Sequence, residues 1–193
     1  MGNSKSVRVG ITQEMLEEYT QLTYLTKAEI HHIFKLFKTL GTEELSKDIY
    51  HRFPVDDILK ILPQIRHNPF RESVLRVFSS EQDSCMSFDD VLDLCSALSD
   101  NCPEYVRAAW AFQIFDFDGD NQVSLDDLIE AVERLTGFNE NGQIRIDRQS
   151  AEHIAQMVLE EMDLDHTGSI GPQEFVHTVA RMPEFAQTFQ LMP

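Results

Sequence analysis

Basic residues are scarce in this sequence of 193 amino acids, which has 16 Lys and Arg against 33 Asp and Glu and a formal net charge of −17. Contacts to nucleic-acid phosphates need Lys and Arg, so this balance argues against a nucleic-acid-binding protein. An acidic surplus suits a protein that gathers cations or basic partners, although a merely solvated acidic surface has the same composition.

Cysteine and long apolar runs are scarce as well. The three cysteines, Cys85, Cys95 and Cys102, have no metal-ligand spacing and leave one thiol over in any disulfide scheme, so we expect a reducing compartment. No run of about 18 apolar residues is present, and the sequence therefore predicts no membrane-spanning helix. We find neither a nucleophile with an accompanying base nor a glycine-rich phosphate loop, and we expect no enzyme.

The first six residues, Met-Gly-Asn-Ser-Lys-Ser, match the N-myristoylation pattern. Gly2 becomes the first residue once Met1 is removed, and Ser6 stands at the position that the pattern requires. A single myristoyl chain binds bilayers weakly and reversibly, with a constant of about 10⁴ M⁻¹. The sequence thus predicts lipidation at Gly2 and a cytoplasmic protein that associates reversibly with membranes.

A unit of helix, twelve-residue loop and helix is repeated along the chain. Its loops are residues 79–90, 116–127 and 163–174, and a fourth copy has a longer connection, residues 38–57. Apolar residues at the spacing of one helical face flank every loop. They are Ile30, Ile33, Phe34, Phe37, Ile58, Ile61, Leu62 and Ile65; Val74, Leu75, Phe78, Val91, Leu94, Cys95 and Leu98; Ala108, Ala111, Phe112, Phe115, Leu128, Ala131, Val132 and Leu135; and Ala155, Val158, Leu159, Met162, Phe175, Val179 and Met182.

One such unit cannot bury its apolar face alone, so the repeat predicts an all-α fold of four units in two pairs. We expect Val123 and Ile170 to face one another across a short antiparallel bridge between the third and fourth loops. A plain helical bundle with acidic turns is the alternative, and the shared frame and loop length disfavour it.

The repeat divides the chain into four predicted regions. Residues 1–22 form the lipidation segment and a lead-in helix, 23–100 an N-terminal lobe, and 101–182 a C-terminal lobe. Residues 183–193 form a tail or short helix, with Phe185 and Phe189 one helical turn apart. Such a short segment cannot fold stably alone, and we expect it to cover an apolar groove until a partner displaces it.

The fourth loop has the clearest pattern of metal ligands. A hard cation such as calcium takes six to eight oxygens, which a twelve-residue loop supplies from positions 1, 3, 5, 7 and 12, with a water often at position 9. Those positions are Asp163, Asp165, Thr167, Ser169 (through its carbonyl) and Glu174. Gly168 stands at the sharp turn of position 6, and Gly171 leaves position 9 to water.

The third loop has a similar pattern with two departures. Its predicted ligands are Asp116, Asp118, Asp120, Gln122 (through its carbonyl) and Asp127. Asn121 occupies the turn position, which Asn tolerates better than other non-glycine residues. Asp127 is one methylene shorter than the usual Glu, which lowers the coordination number and favours magnesium. We therefore predict two calcium sites, of which this one accepts magnesium at rest.

The first two loops are predicted to hold no metal. The second has Ser79, Glu81, Asp83, Ser84 and Asp90 at positions 1, 3, 5, 6 and 12, so it lacks the first carboxylate and the glycine. The stretched first loop has no series of oxygen ligands. We expect both loops to have only a structural role.

With these residues in view, the chain resembles the calcium- and integrin-binding protein family of the EF-hand superfamily over nearly its full length. The segments that carry the resemblance are the Met-Gly-Asn start, residues 19–26 (YTQLTYLT), residues 68–72 (NPFRE), residues 111–118 (AFQIFDFD) and the stretch from Met182 to Phe189. The family is similar in having two silent N-terminal hands and Asp at position 12 of the third. The departures are Asn121, Thr167 and a longer connection at 136–149.

The resemblance implies an adaptor that binds helical segments of other proteins, such as the cytoplasmic tails of integrin α-subunits. Opened pairs of such hands expose an apolar groove that accepts an amphipathic helix. We expect a monomer or weak dimer with such a partner. A calcium or magnesium buffer and a regulatory subunit resembling calcineurin B are the alternatives, although the latter would have ligands in all four loops.

Overall fold

The structure is a computed structural model that describes residues 10–138 and 142–182. Within these ranges the ordered elements are helices with one two-stranded sheet, which confirms the predicted all-α fold. Among the described residues, no helix combines the length and the apolar character that crossing a membrane requires. Gly2 and the predicted C-terminal segment 183–193 lie outside the described residues.

The helices and strands follow the predicted repeat, and the stretched connection 38–57 contains a short helix and a strand of its own. In chain order the elements are α1 (Gln13–Leu22), α2 (Lys27–Phe37), α3 (Thr42–Lys47), β1 (Phe53–Pro54), α4 (Val55–Ile61), α5 (Pro63–Arg66), α6 (Arg71–Phe78), β2 (Cys85–Met86), α7 (Phe88–Ala97), α8 (Glu104–Phe115), α9 (Leu125–Thr136), α10 (Arg148–Met162) and α11 (Pro172–Val179).

Each twelve-residue loop runs into the first turn of the helix that follows it. Position 9 of the loop is the N-cap of that helix, namely Ser87 for α7, Ser124 for α9 and Gly171 for α11. The carboxylate at position 12 stands three residues further on and accepts a hydrogen bond from the N-cap N–H, which forms a capping box where the N-cap is Ser. Helix initiation and loop closure therefore depend on the same side chains.

Contacts between residues divide the described part of the chain into two compact units. Among the described residues, the first unit comprises 10–66 and 78–102, and the second comprises 67–77, 103–138 and 142–182. Most of α6 is thus grouped with the C-terminal residues, although the sequence pattern places it in the second hand.

The core of the first unit is rich in aromatic rings. The ring of Phe88, at the start of α7, packs edge-on against Phe34 and is tilted against Phe37, with centroid distances of 5.1 and 5.4 Å. The strands β1 and β2 are antiparallel, with Phe53 opposite Met86. Because both of these residues are buried, the small sheet ties the stretched first loop to the second loop.

The core of the second unit contains most of the apolar residues that the repeat predicts. Its buried members are Ala108, Ala111, Phe112, Val123, Leu128, Ile129, Ala151, Ala155, Leu159, Met162, Ile170, Phe175 and Val179. Leu135 and Met182 are exceptions, since they are 62% and 45% exposed. The prediction that they share the buried face is wrong, because Leu135 lies in the last turn of α9 and Met182 follows the end of α11.

Candidate metal-binding loops

The fourth loop brings three of its five predicted ligands into one group. Carboxylate oxygens of Asp163, Asp165 and Glu174 all lie within 4.8 Å of one another. Glu174 reaches back across the loop, where its Oε1 accepts hydrogen bonds from the backbone N–H groups of Leu164 (2.8 Å) and Asp165 (3.1 Å). The side chain at position 12 is therefore long enough to meet the carboxylates at positions 1 and 3.

The other two predicted ligands of this loop, Thr167 and Ser169, contact the same group or each other. Asp163 accepts hydrogen bonds from the N–H groups of Thr167 (3.0 Å) and Gly168 (2.8 Å). The hydroxyl of Thr167 donates to the carbonyl of Ser169 at 3.3 Å. The two predicted oxygen ligands thus contact each other, and the backbone of Thr167 contacts the buried carboxylate at position 1.

The third loop groups its first three predicted ligands but not the last. Oxygens of Asp116, Asp118 and Asp120 lie within 4.8 Å of one another. Asp127 is outside this group. Its carboxylate accepts hydrogen bonds from the N–H of Phe117 (3.1 Å) and from the N–H and hydroxyl of Ser124 (2.8 and 2.6 Å). This difference from Glu174 is the one that a side chain shorter by one methylene produces.

The two loops are joined back to back, as the sequence predicts. Val123 and Ile170 exchange two backbone hydrogen bonds of 2.9 Å across an isolated antiparallel bridge, and both side chains are fully buried. One residue earlier in each loop, the hydroxyl of Ser169 lies 3.0 Å from the side-chain oxygen of Gln122. The predicted position-7 residues of the two loops are therefore in direct contact.

The turn position of each loop has a left-handed backbone. The φ angle is +67° at Asn121 and +92° at Gly168, which stand at position 6 of the third and fourth loops. Residues other than Gly enter this region at a cost that is smallest for Asn and Asp. Asn121 thus adopts the left-handed conformation that the sharp turn at this position requires.

The carboxylates at position 1 differ in their electrostatic surroundings. Burial raises the pKa of Asp116, and this effect outweighs the opposing hydrogen bonds from the N–H groups of Asn121 and Gly119. At Asp163 burial acts in the same direction, but the N–H groups of Gly168 and Thr167 outweigh it and lower the pKa. In the absence of an ion, the fourth loop therefore holds its first carboxylate in the ionised form more firmly than the third.

These donor sets fit a hard divalent cation. Each group consists of carboxylate oxygens without a thiol or imidazole, which is the ligand type that calcium and magnesium select. A carboxylate group of this density is costly without a counter-ion because its members repel one another. Asp163, Asp165 and Glu174 would hold an ion in the fourth loop, and Asp116, Asp118 and Asp120 would hold one in the third.

The second loop contains a residue that sequence reasoning missed. The side chain of Arg52, from the stretched first connection, lies inside this loop and donates hydrogen bonds to Asp83 and Asp90. Its sequence signal is weak, because a single arginine in a connection 27 residues before the loop resembles any surface arginine. Arg52 thus places a positive charge among the carboxylates of the second loop, and the absence of metal there stays a prediction.

The first unit also has an apolar groove of about 490 Å³. Aliphatic side chains make up half of its twelve lining residues, which come from α2, α4 and α7 and from residues next to them. The lining residues are Leu25, Ala28, Glu29, His32, Ile33, Leu36, Ile61, Leu62, Gln64, Cys95, Ser99 and Asp100.

Twelve-residue loops with oxygen ligands, each between two helices and bridged in pairs, define an EF-hand protein. The model of the EF-hand domain pair matches residues 105–179, which contain both candidate metal loops.

Curated relatives match almost the whole chain. It is 31% identical to calcium and integrin-binding family member 3 of Homo sapiens and 30% identical to member 2 of the same species, each over 195 residues and 99% of both chains. It is 31% identical to member 2 of Drosophila melanogaster over 197 residues and 99% of both chains. The chain belongs to the calcium and integrin-binding family.

Proposed function

We propose that the protein is a calcium sensor that binds ions in its third and fourth hands and an amphipathic helix of a target protein. The observation that carries this proposal is the pair of bridged loops, each with three convergent carboxylates. The third hand, with the shorter Asp127, accepts magnesium at resting calcium concentrations, and the fourth is the more calcium-selective site.

The proposed partner surface is the apolar groove of the first unit. Its half-buried Ile33, Leu36, Ile61 and Leu62 present aliphatic surface of the kind that the apolar face of a helix covers. The chain carries a net charge of −17, so a helix with basic residues flanking its apolar face is favoured. Because several relatives are named for integrin binding, cytoplasmic tails of integrins and other membrane proteins are the first candidates.

We further propose a cytoplasmic location with reversible membrane association through a myristoyl group on Gly2. One acyl chain gives only marginal membrane affinity, so a membrane-protein partner would supply the second point of attachment.

The metal part of the proposal is tested by calorimetry on the purified full chain. We expect calcium to bind at two sites, with Asp163→Ala removing the fourth-hand event and Asp116→Ala the third-hand event. The absence of heat or spectroscopic change on adding either calcium or magnesium would refute it.

The partner part is tested with peptides of basic amphipathic sequence, titrated with and without calcium. Leu36→Asp places a charge in the groove and should weaken peptide binding at least tenfold, since a buried unpaired charge is strongly unfavourable. Leu22→Asp is the matched control, because Leu22 is 72% exposed and does not line the groove. Equal affinities of the two variants would exclude the groove as the binding surface.

A calcium buffer is the competing function, and it is separated from a sensor by an apolar fluorescent probe. A sensor exposes apolar surface when calcium binds and increases probe fluorescence, whereas a buffer changes little. A calcium-independent probe signal together with calcium-independent peptide binding would favour the buffer or a constitutive adaptor.

A further inference from the structure

The second loop has the backbone of a metal-binding loop although its sequence does not favour it. Its residues at positions 4 and 6, Gln82 and Ser84, have φ angles of +51° and +59°. The third and fourth loops have the same pattern, with positive φ at both positions and Gly or Asn at three of the four places. Gln and Ser are disfavoured in this conformation, so other contacts must hold the second loop in it.

The guanidinium of Arg52 makes those contacts from inside the loop. It reaches four of the positions from which an EF-hand loop supplies its ligands, namely positions 1, 5 and 12 and the carbonyl of position 7. It also reaches position 2. The hydrogen bonds run from Nη2 to the Ser79 hydroxyl (3.4 Å), the Asp83 carboxylate (2.9 Å) and the Cys85 carbonyl (2.8 Å), from Nη1 to the Ser80 hydroxyl (3.0 Å) and the Asp90 carboxylate (2.9 Å), and from Nε to Asp83 (3.2 Å). Glu81 at position 3 completes the set with an ion-pair distance of 4.0 Å.

The strand pairing of the first unit explains how Arg52 reaches this place. Phe53 stands opposite Met86, which occupies position 8 of the second loop, as Val123 and Ile170 do in the third and fourth. Arg52 is therefore the counterpart of the position-7 residue in the first hand. In the second unit the position-7 side chains meet each other, whereas here the longer arginine extends into the neighbouring loop.

The charges of this loop require a cation. Asp90 is only 6% exposed in its side chain, and the Ser87 N–H that donates to it does not neutralise its charge, so a buried carboxylate here is strongly unfavourable without a cation. A guanidinium offers five donors in one plane and a fixed positive charge, so it can satisfy several oxygens at once. Hydrogen bonding with Asp83 raises the pKa of Arg52, and the same contact lowers the pKa of Asp83, as expected for a firmly held ion pair.

We propose that the guanidinium of Arg52 is the permanent cation of the second hand, where it replaces a divalent ion, excludes such ions and holds the loop in its metal-type conformation at every calcium concentration. The second hand is then a fixed element, and the response to calcium is confined to the other hands. This inference does not depend on metal binding in the second unit.

The test is to remove the guanidinium in the full chain and to count bound terbium ions by calorimetry. Arg52→Gln should bind one equivalent more than the wild-type protein, and the further change Asp90→Asn should abolish the extra equivalent. Lys47→Gln is the matched control, since Lys47 is an exposed residue of the same unit and its replacement removes the same charge; it should bind the wild-type number of ions. A folded Arg52→Gln protein that binds no additional ion would overturn the proposal.

Arg52→Lys keeps a cation in the loop and guards against loss of folding. It should bind no additional ion, and uptake of the extra equivalent by this variant would also overturn the proposal. If Arg52→Gln is unfolded in chelator, terbium should restore its helical circular dichroism together with the extra equivalent. Failure of saturating terbium to restore the fold would show that Arg52 is not replaceable by an ion.

Discussion

Exchange of the position-12 residues is the sharpest perturbation that the two candidate metal loops allow. Glu174 joins the carboxylates of its loop within 4.8 Å, whereas Asp127 does not join those of the third loop. We predict that Asp127→Glu strengthens calcium binding at the third hand and weakens its preference for magnesium. The mirror change, Glu174→Asp, should weaken calcium binding at the fourth hand.

The expected magnitude follows from the length of the side chain. One methylene shifts the carboxylate by about 1.5 Å, the length of a carbon–carbon bond. A calcium–oxygen bond is about 2.3–2.6 Å long, so a displacement of this size removes at least one oxygen from the ion. Because perturbing even an outer-shell partner of a metal changes affinity about 10- to 100-fold, we expect at least a tenfold change, or about 1.4 kcal/mol.

The assay is calorimetric titration with calcium and then with magnesium. The third hand is measured in an Asp163→Ala background and the fourth in an Asp116→Ala background, so that each titration reports one site. Changes of less than twofold in the ratio of calcium to magnesium affinity for both exchanged variants would refute the argument from side-chain length.

Three further predictions concern stability and reactivity. Ser124→Ala removes the cap of α9 and should lower the free energy of unfolding by about 0.5–2 kcal/mol in chelator. Ser87→Ala, at the same position of the second loop, should lower the free energy of unfolding by a similar amount. Only Ser124→Ala should also alter calcium affinity. Because the contact with Arg52 lowers the pKa of Asp83, that contact stabilises the fold fully above the ordinary Asp pKa of about 3.9. The stabilisation is lost as the pH falls through the lower pKa of the folded protein. The free energy of unfolding in urea should therefore depend less on pH below about pH 4 in Asp83→Asn than in the wild-type protein. Burial raises the pKa of Cys95 to about 12, so mass spectrometry should find it alkylated slowly by iodoacetamide at pH 8 in the folded protein and rapidly in urea; equal rates would contradict this.

The repeat frame could be predicted from the sequence because it is local. A short stretch of sequence is enough to recognise the helical spacing on both sides of a loop and the oxygen ligands at fixed positions within it. The bridge between Val123 and Ile170 followed from their equal place in two such loops. The assignment of individual ligands to bound ions stays a prediction that the calorimetric variants test.

Arg52 was beyond sequence reasoning because its role depends on tertiary register. Its contacts with Asp83 and Asp90 join residues 31 and 38 positions apart. They exist because β1 pairs with β2 in one particular register. A shift by one residue would direct the arginine to the opposite face of the strand and away from the loop. The exposure of Leu135 was missed for a different reason, since periodicity does not show where a helix extends past its core.

The paired hydrogen bonds between Val123 and Ile170 have a thermodynamic corollary. The bridge connects the two loops directly, so ion binding in one loop would alter the free energy of ion binding in the other. Linkage is reciprocal: if an ion in the fourth loop changed the ion affinity of the third loop by some factor, an ion in the third loop would change the affinity of the fourth by the same factor. Two sites that increase each other's affinity fill over a narrower range of free ion concentration than two independent sites. A protein with such sites would respond to calcium within that narrow range.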